Sequence, residues 1–236
     1  MTLPEEFTFV QGKVKTIFAL DEPDKVLIQY EDKVTAGNGK REDYPEGKGE
    51  ICCKISELLF RELEQCGIKT HYISMPTHRA MAVKKVEIIP IEVVVRNIAA
   101  GSIVRQTPLE EGTVFSNPLV EFYLKDDEKD DPLLTEDRAR LMGDYPLREL
   151  KQRAAEVNRI LQDIFKRIDL TLVDFKLEYG YDKDGNLLLS DELSPDGMRL
   201  WKVGTSESFD KDLFRKGNGD ILLAYQTILT NLQRII

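Results

Sequence analysis

The sequence predicts an α+β protein in two lobes, and two observations carry this. Segments of strand and helix character succeed one another as strands, helix, strands, helix, hairpin and helix. That order lacks the regular strand–helix alternation of a doubly wound parallel sheet. The chain is 236 residues long, enough to bury one large core or two smaller ones. A boundary near Pro90 divides it into an N-terminal lobe over 1–90 and a larger C-terminal lobe over 91–236.

The elements follow in order. Residues 25–30 (Lys-Val-Leu-Ile-Gln-Tyr) read as a strand, and 31–49, rich in Gly, Lys and acids, as a loop. From Gly49 the period changes: Ile51, Ile55, Leu58, Leu59 and Leu63 fall on one helical face, with Gly67 as a stop. Residues 86–96 read as a strand in which Pro90 marks an edge, a bulge or the lobe boundary. Residues 107–136 form an irregular polar stretch. A second helix begins near Pro146, a favoured first-turn residue, with Leu147, Leu150, Ala154, Val157, Leu161 and Ile164 on one face. Two strands over 171–179 and 187–190 precede a last helix over 220–234 whose Leu222, Tyr225, Leu229 and Leu232 point inward.

Composition excludes several function classes. With 33 Lys+Arg against 42 Asp+Glu the net charge is −9, which disfavours bulk electrostatic binding to nucleic acid or anionic membrane. A local basic pocket can still take a small anion. Charged residues make up 32%, above the roughly 25% of an average globular protein. Apolar residues at 42% suffice for a core. Cys52, Cys53 and Cys66 form no CxxC pair and no even framework, so neither disulfides nor a structural zinc site is expected. The first six residues carry no basic, apolar leader, and no apolar run approaches the roughly 20 residues of a membrane span. The expectation is a soluble cytoplasmic protein.

Familiar nucleotide motifs are absent. Gly47-Lys48 is followed by Gly49 rather than Ser or Thr, and Glu42 stands where a GxGxxG would need its third glycine. His71 and His78 are too far apart for an i, i+4 metal pair. Asp182-Lys183-Asp184-Gly185-Asn186 starts like a calcium loop, but Leu187 and Leu193 occupy the positions that need Gly and Glu. Asp184-Gly185 instead reads as a two-residue hairpin turn, which sets Lys183 opposite Asn186 and Glu178 opposite Asp191. Opposed carboxylates about 5 Å apart repel, and a divalent cation between them would remove that penalty with oxygen ligands of the kind magnesium prefers.

On the same strand Asp174, Lys176 and Glu178 share one face, while Val173, Phe175, Leu177 and Tyr179 share the other. A solvated, salt-bridged strand would show the same stripe. The nearby Asp191, Glu192, Asp196 and Arg199 weigh towards a site. Gly12-Lys13-Val14-Lys15, if extended over 13–15, aims both ammonium groups one way, which suits a polyphosphate but also fits exposed lysines on an ordinary strand. Arg96 with Gly101, Ser102 and Arg105 can hold a phosphate through guanidinium, hydroxyl and backbone N–H, or form an ordinary loop. Lys125 leads an acidic run over 126–131 that reads as a solvated loop. The cysteines, Trp201 and Phe209 read as packing residues.

Taken together, these segments resemble the SAICAR synthetase (phosphoribosylaminoimidazole-succinocarboxamide synthase) family. The likeness runs in order through Gly12-Lys13-Val14-Lys15, Thr35-Ala36-Gly37-Asn38-Gly39, Glu46-Gly47-Lys48-Gly49, residues 89–97 and Ala100-Gly101-Ser102. It continues through Phe122-Tyr123-Leu124-Lys125, Asp131-Pro132, residues 172–178, Ser190-Asp191-Glu192-Leu193-Ser194-Pro195-Asp196, Arg199-Leu200-Trp201 and residues 210–215. It departs at Cys52-Cys53, where an Asn-Asn pair is common, at Gly37, where Phe is common, and over residues 74–79.

The resemblance implies a kinase- or ATP-grasp-like nucleotide lobe followed by a larger α+β lobe. It also implies a reaction: L-aspartate joined to 4-carboxy-5-aminoimidazole ribonucleotide (CAIR), with ATP converted to ADP and phosphate through a carboxyl phosphate. Lys13, Val14, Lys15 and Lys125 would meet the ATP phosphates, and the chain at Lys84, Val86 and Ile88 the adenine. Glu178 and Asp191 would hold magnesium beside them. Arg96, Gly101, Ser102 and Arg199 would hold the ribonucleotide phosphate, and Asp174, Lys176 and Asp196 the rest of that substrate. Lys13, Asp174 and Lys176 would act in the chemistry. A homodimer is implied as well. A phosphotransferase acting on another carboxylate and a non-catalytic nucleotide-binding module are the competing readings. The phosphate-binding arginines weigh against the first, and the retained carboxylates and lysines against the second.

Overall fold

A computed structural model describes residues 8–37 and 39–236. The leader-free start read from residues 1–6, and Asn38 of the Thr35–Gly39 segment, lie outside the described residues. The chain opens with strands β1 (Thr8–Gln11), β2 (Lys15–Ala19) and β3 (Lys25–Tyr30), then a small pair β4 (Val34–Ala36) and β5 (Arg41–Asp43). Helix α1 (Lys48–Gln65) follows, then β6 (Tyr72–Thr77) and β7 (Ala80–Lys84). The second half contains β8 (Glu87–Ile98), α2 (Ser102–Gln106), β9 (Val114–Leu124), β10 (Leu133–Leu134), α3 (Glu136–Met142) and α4 (Leu147–Lys166). It ends with β11 (Leu170–Tyr181), β12 (Leu187–Ser190), β13 (Met198–Lys202), α5 (Asp212–Lys216) and α6 (Ile221–Ile235).

Two antiparallel sheets organise these elements. The first has the order β1-β2-β3-β7-β6, and the second β10-β9-β8-β11-β12, with β13 paired to the first half of β11 on the same edge as β12. The chain passes from one to the other between Lys84 and Glu87. Pro90 lies inside β8, where the register against β11 shifts, so the lost backbone donor falls at a bulge. Strand β11 is central and long, bonded to β8, β12 and β13, and it sets the positions of most charged residues described below.

The helices bury the faces their periodicity predicts. In α4, Leu147, Leu150, Ala154, Val157, Leu161 and Ile164 are all buried, and α4 packs on β11 and β8. Helix α1 packs on β3 and α6. Its start demands glycine, since a Cβ on Gly49 would lie 2.5 Å from the Tyr30 carbonyl oxygen. One main apolar cluster runs from Val26 and Ile28 through Leu59 and Phe60 to Val93, Leu161, Phe175 and Leu229, so the two sheets share it. They also join through backbone: Leu189 N–H donates to Lys69 O at 3.0 Å, and His71 N–H donates to Leu189 O at 2.9 Å.

The structure departs from the sequence expectations in four places. The polar stretch 107–136 contains the eleven-residue strand β9, exposed over its first half and part-buried over its second, so no strict alternation betrays it. The loop 31–49 contains the β4–β5 pair. Lys13 and Val14 lie in the turn between β1 and β2 rather than in a strand, with Gly12 N–H donating to Lys15 O at 2.8 Å. The 182–186 hairpin closes one residue differently. Asp182 N–H donates to Asn186 O at 3.0 Å, and Gly185 takes a left-handed φ of 77°, as in three-residue loops. The Asp182 carboxylate favours this turn by accepting from the N–H groups of Asp184 at 3.0 Å and Asn186 at 2.8 Å. Glu178 therefore pairs with Ser190, not Asp191.

Two outcomes follow from this packing. Leu161→Ala opens space in the main cluster and should cost about 2–5 kcal/mol in chemical denaturation. His71 is buried, and burial pushes its pKa down from 6.5 to about 3. The unfolded chain therefore binds a proton between those values that the folded chain does not, so stability falls as pH drops through that window. Denaturation curves at several pH values should show this slope reduced in His71→Gln.

Candidate active site

A cleft of about 290 Å³ opens over the charged face of β8, β11 and β13, lined by Arg96, Ser102, Asp174, Lys176, Asp196 and Arg199 among others. Strand register builds its first half. Asp174 on β11 stands opposite Arg96 on β8 and opposite Arg199 on β13, so one carboxylate lies between two guanidiniums. Arg96 Nη1 donates to Asp174 Oδ2 at 2.8 Å, and Arg199 Nη1 donates to both carboxylate oxygens at 3.0 and 2.8 Å. Arg96 is fixed further by Glu121 at 2.6 Å, Ser102 Oγ at 2.8 Å and Tyr123 Oη at 3.0 Å. Arg199 is fixed by Asp212 at 3.1 Å. Gly101 has a φ of +67°, and a Cβ there would lie 2.5 Å from Arg199 Nη2, so glycine admits the guanidinium. The result is a rigid corner in which two guanidiniums are fixed by the carboxylates of Asp174, Glu121 and Asp212.

The second half centres on Lys176. Its ammonium lies 2.8 Å from Glu92, 2.6 Å from Glu178 and 3.9 Å from Asp191. Lys125 Nζ adds a contact to Glu178 at 2.8 Å. From the other sheet Lys15 reaches Asp191 and, at 3.0 Å, Glu192. Lys13 contacts Asp127 at 2.7 Å. The sequence therefore misjudged how Glu178 and Asp191 meet, yet both carboxylates reach one ammonium. Asp191 follows β12 with a left-handed φ of 65°, and that turn replaces the strand pairing expected for it. Burial pushes the Asp191 pKa up, but Lys15 first and then Lys176 outweigh this and hold its carboxyl well below the usual range.

These groups fit a magnesium ion that shares its shell with phosphate and water. Magnesium in nucleotide sites takes one or two carboxylates and completes its octahedron from the substrate. Glu178 and Asp191 supply that number, and among the described residues no group of three or more metal-binding side chains forms a self-sufficient site. Lys15 and Lys125 stand beside the pair, on Asp191 and Glu178 respectively, while Lys13 contacts Asp127.

Not every expected residue joins the cleft. Glu178, Asp191, Lys15 and Lys125 lie beside its lining, tied to Lys176 or to each other by the ion pairs above, and Lys13, Val14, Gly101, Lys84, Val86 and Ile88 do not line it either. Lys84, Val86 and Ile88 span the passage from β7 to β8, and Lys84 lines a separate hollow with Lys69, Thr70 and Asp182. Sequence reasoning missed Glu92, Tyr123, Asp212 and Arg215. Glu92 and Tyr123 had a signal, since each lies an even number of residues from Arg96 or Lys125 along an extended strand. Asp212 and Arg215 had none, because only the fold brings α5 over β13.

Comparison with known proteins bears on the family. The SAICAR synthetase family profile matches residues 8–232. The phosphoribosylaminoimidazole-succinocarboxamide synthase of Methanocaldococcus jannaschii is 49% identical over 224 residues, covering 94% of this chain and 92% of that protein. The enzyme of the same name from Staphylococcus carnosus is 44% identical over 228 residues, covering 95% and 97%. A solved SAICAR synthetase in complex with ADP superposes with a TM-score of 0.91 at 38% identity, covering 94% of this chain and 96% of that one. The crystal structure of the synthase from Ehrlichia chaffeensis gives 0.92 at 38% identity, covering 96% and 98%. The chain belongs to the SAICAR synthetase family.

Proposed function

We propose that this chain joins L-aspartate to CAIR with consumption of ATP, giving SAICAR, ADP and phosphate as a step of purine biosynthesis. One observation carries the reading: a fixed two-arginine corner and Lys176 line one cleft, with Asp174 and Lys176 on the same face of β11, and Lys176 ties the cleft to Glu178 beside it. A phosphorylated substrate held at the corner would place its far end towards Lys176. A similar synthetase solved in complex with ADP supports a nucleotide as co-substrate.

The chain's residues then take these roles. Arg96, Ser102 and Arg199 bind the ribonucleotide phosphate, and Gly101 leaves room for Arg199. Asp174 keeps both guanidiniums in place and, with Asp196, orients the ribose and imidazole. Lys176 draws the imidazole carboxylate towards the γ-phosphate. Lys13, Lys15 and Lys125 take the ATP phosphates, releasing Asp191 and Glu178 from their present ion pairs. Glu178 and Asp191 would hold magnesium, which would neutralise charge on the transferring phosphoryl group. A carboxylate oxygen attacks the γ-phosphorus and the bond to ADP breaks. The aspartate amine then attacks the carboxyl carbon, and phosphate leaves with the C–O bonding electrons. Phosphoryl transfer asks for placed cations and little covalent help, which matches this inventory. In this reading residues 1–90 serve as the nucleotide lobe, with adenine near Lys84–Ile88, and residues 91–236 carry the substrate and metal site in a cytoplasmic homodimer.

The direct test is turnover with ATP, magnesium, aspartate and CAIR, omitting each in turn. Product should form only when all four are present, and product without aspartate or CAIR would sink the assignment. Asp191→Asn should lower magnesium-dependent turnover by about 100-fold or more while leaving the circular dichroism spectrum unchanged. Near-normal rates at low magnesium would remove its metal role. Arg199→Ala should weaken CAIR binding far more than ATP binding in titration calorimetry, and equal losses would count against the phosphate corner.

A further inference from the structure

The first residue of α1, Lys48, has a side chain only 2% exposed, and its ammonium pairs with Asp196, whose side chain is 5% exposed. An ammonium taken out of water is costly unless an opposite charge and good hydrogen bonds compensate. Lys48 donates to Asp196 Oδ2, and the Tyr225 hydroxyl of α6 donates to Oδ1 at 2.8 Å. Both oxygens are thus gripped, by groups from α1 and α6, while Asp196 also lines the cleft. Behind it, Asp196 N–H donates to Ser194 Oγ at 3.3 Å, and that hydroxyl donates to Glu192 at 2.6 Å. Leu193 N–H donates to Ser56 Oγ of α1 at 2.9 Å.

The segment 191–197 therefore carries one carboxylate that lines the cleft, Asp196, and one beside it, Asp191, with different tethers. At one end Asp191, 22% exposed, pairs with Lys15 of the other sheet and can exchange that partner for a ligand. At the other end Asp196 is held at both oxygens by buried groups. Arg199 and Arg215 line the same cleft, each already bonded to Asp212. A carboxylate free to rotate there would compete with an incoming anion for these guanidiniums.

We propose that Lys48 and Tyr225 are positioning residues for the imidazole-nucleotide subsite. By holding both oxygens of Asp196 from behind, they fix its direction in the cleft and keep it from adding to the carboxylates, Asp174 and Asp212, that already hold Arg199. The inference rests on the reaction proposed above. It assigns a task to the Gly47-Lys48-Gly49 segment, whose lysine points into the protein rather than to a nucleotide.

Tyr225→Phe, which removes one hydroxyl, tests this together with Lys48→Met and Lys48→Arg. In Tyr225→Phe the KM for CAIR should rise about tenfold, while kcat and the KM for ATP stay within about twofold. Titration calorimetry with CAIR and with ATP separately should show the same split. Lys48→Met should be more severe, and Lys48→Arg, which keeps the charge, should recover part of the CAIR affinity. If Lys48→Met does not fold, Tyr225→Phe decides alone. Equal weakening of both nucleotides, or a fall in melting temperature with CAIR affinity unchanged, would overturn the proposal. Failure of the unaltered protein to turn over CAIR would instead overturn the reaction on which it rests.

Discussion

Charges removed from water must meet other charges, and that requirement organises this protein. Strand β11 places Asp174, Lys176 and Glu178 on one face, and each is compensated by residues that register brings alongside: Arg96 and Glu92 from β8, and Arg199 from β13. The other face of the same strand is core, with Phe175, Leu177 and Tyr179 buried in the main apolar cluster, while Val173, expected on that face, falls at a bulge and packs with Ala100 and Trp201. A slip of one residue would bury the charges and expose the aromatics, so packing beneath the sheet enforces the ion pairs above it. The site and the core are two sides of one constraint.

This constraint also explains how an acidic chain can receive anionic ligands. The site lysines spend their charge on carboxylates of the protein itself: Lys15 on Asp191 and Glu192, Lys125 on Glu178, Lys176 on Glu92 and Glu178. A polyphosphate and a divalent cation arriving together can exchange with these pairs, each taking the partner the other releases. Either ion alone would leave a partly buried charge unmatched, at a cost that opposes its binding. The net charge of −9 is no obstacle, since a few local pairs govern the exchange.

Much of this was legible in the residues. The period of α4 marked its buried face, and the alternation over 173–179 separated core from charge on β11. Arg96, Gly101, Ser102 and Arg105 were legible by type and spacing as a candidate phosphate pocket, whereas a place for Arg199 beside them came only from the family resemblance. What stayed hidden had physical reasons. Strand β9 mixes polar and apolar residues without a strict alternation. Asp212 and Tyr225 reach the site only through long-range packing, which leaves no local trace. The hairpin register was misread because the Asp182 carboxylate favours a three-residue loop over the two-residue turn that Asp184-Gly185 suggests.

That misreading left the meeting of Glu178 and Asp191 intact for a mechanical reason. Strand β12 is clamped on one side by β11 and on the other by the bridge from Thr70 to Leu189, and beyond it the left-handed backbone at Asp191 turns the carboxylate back towards Lys176. The hairpin tip at 182–186 lies outside this clamp. It works as slack in the chain rather than as a strut, so its length and composition are free to drift without disturbing the distance between the two carboxylates.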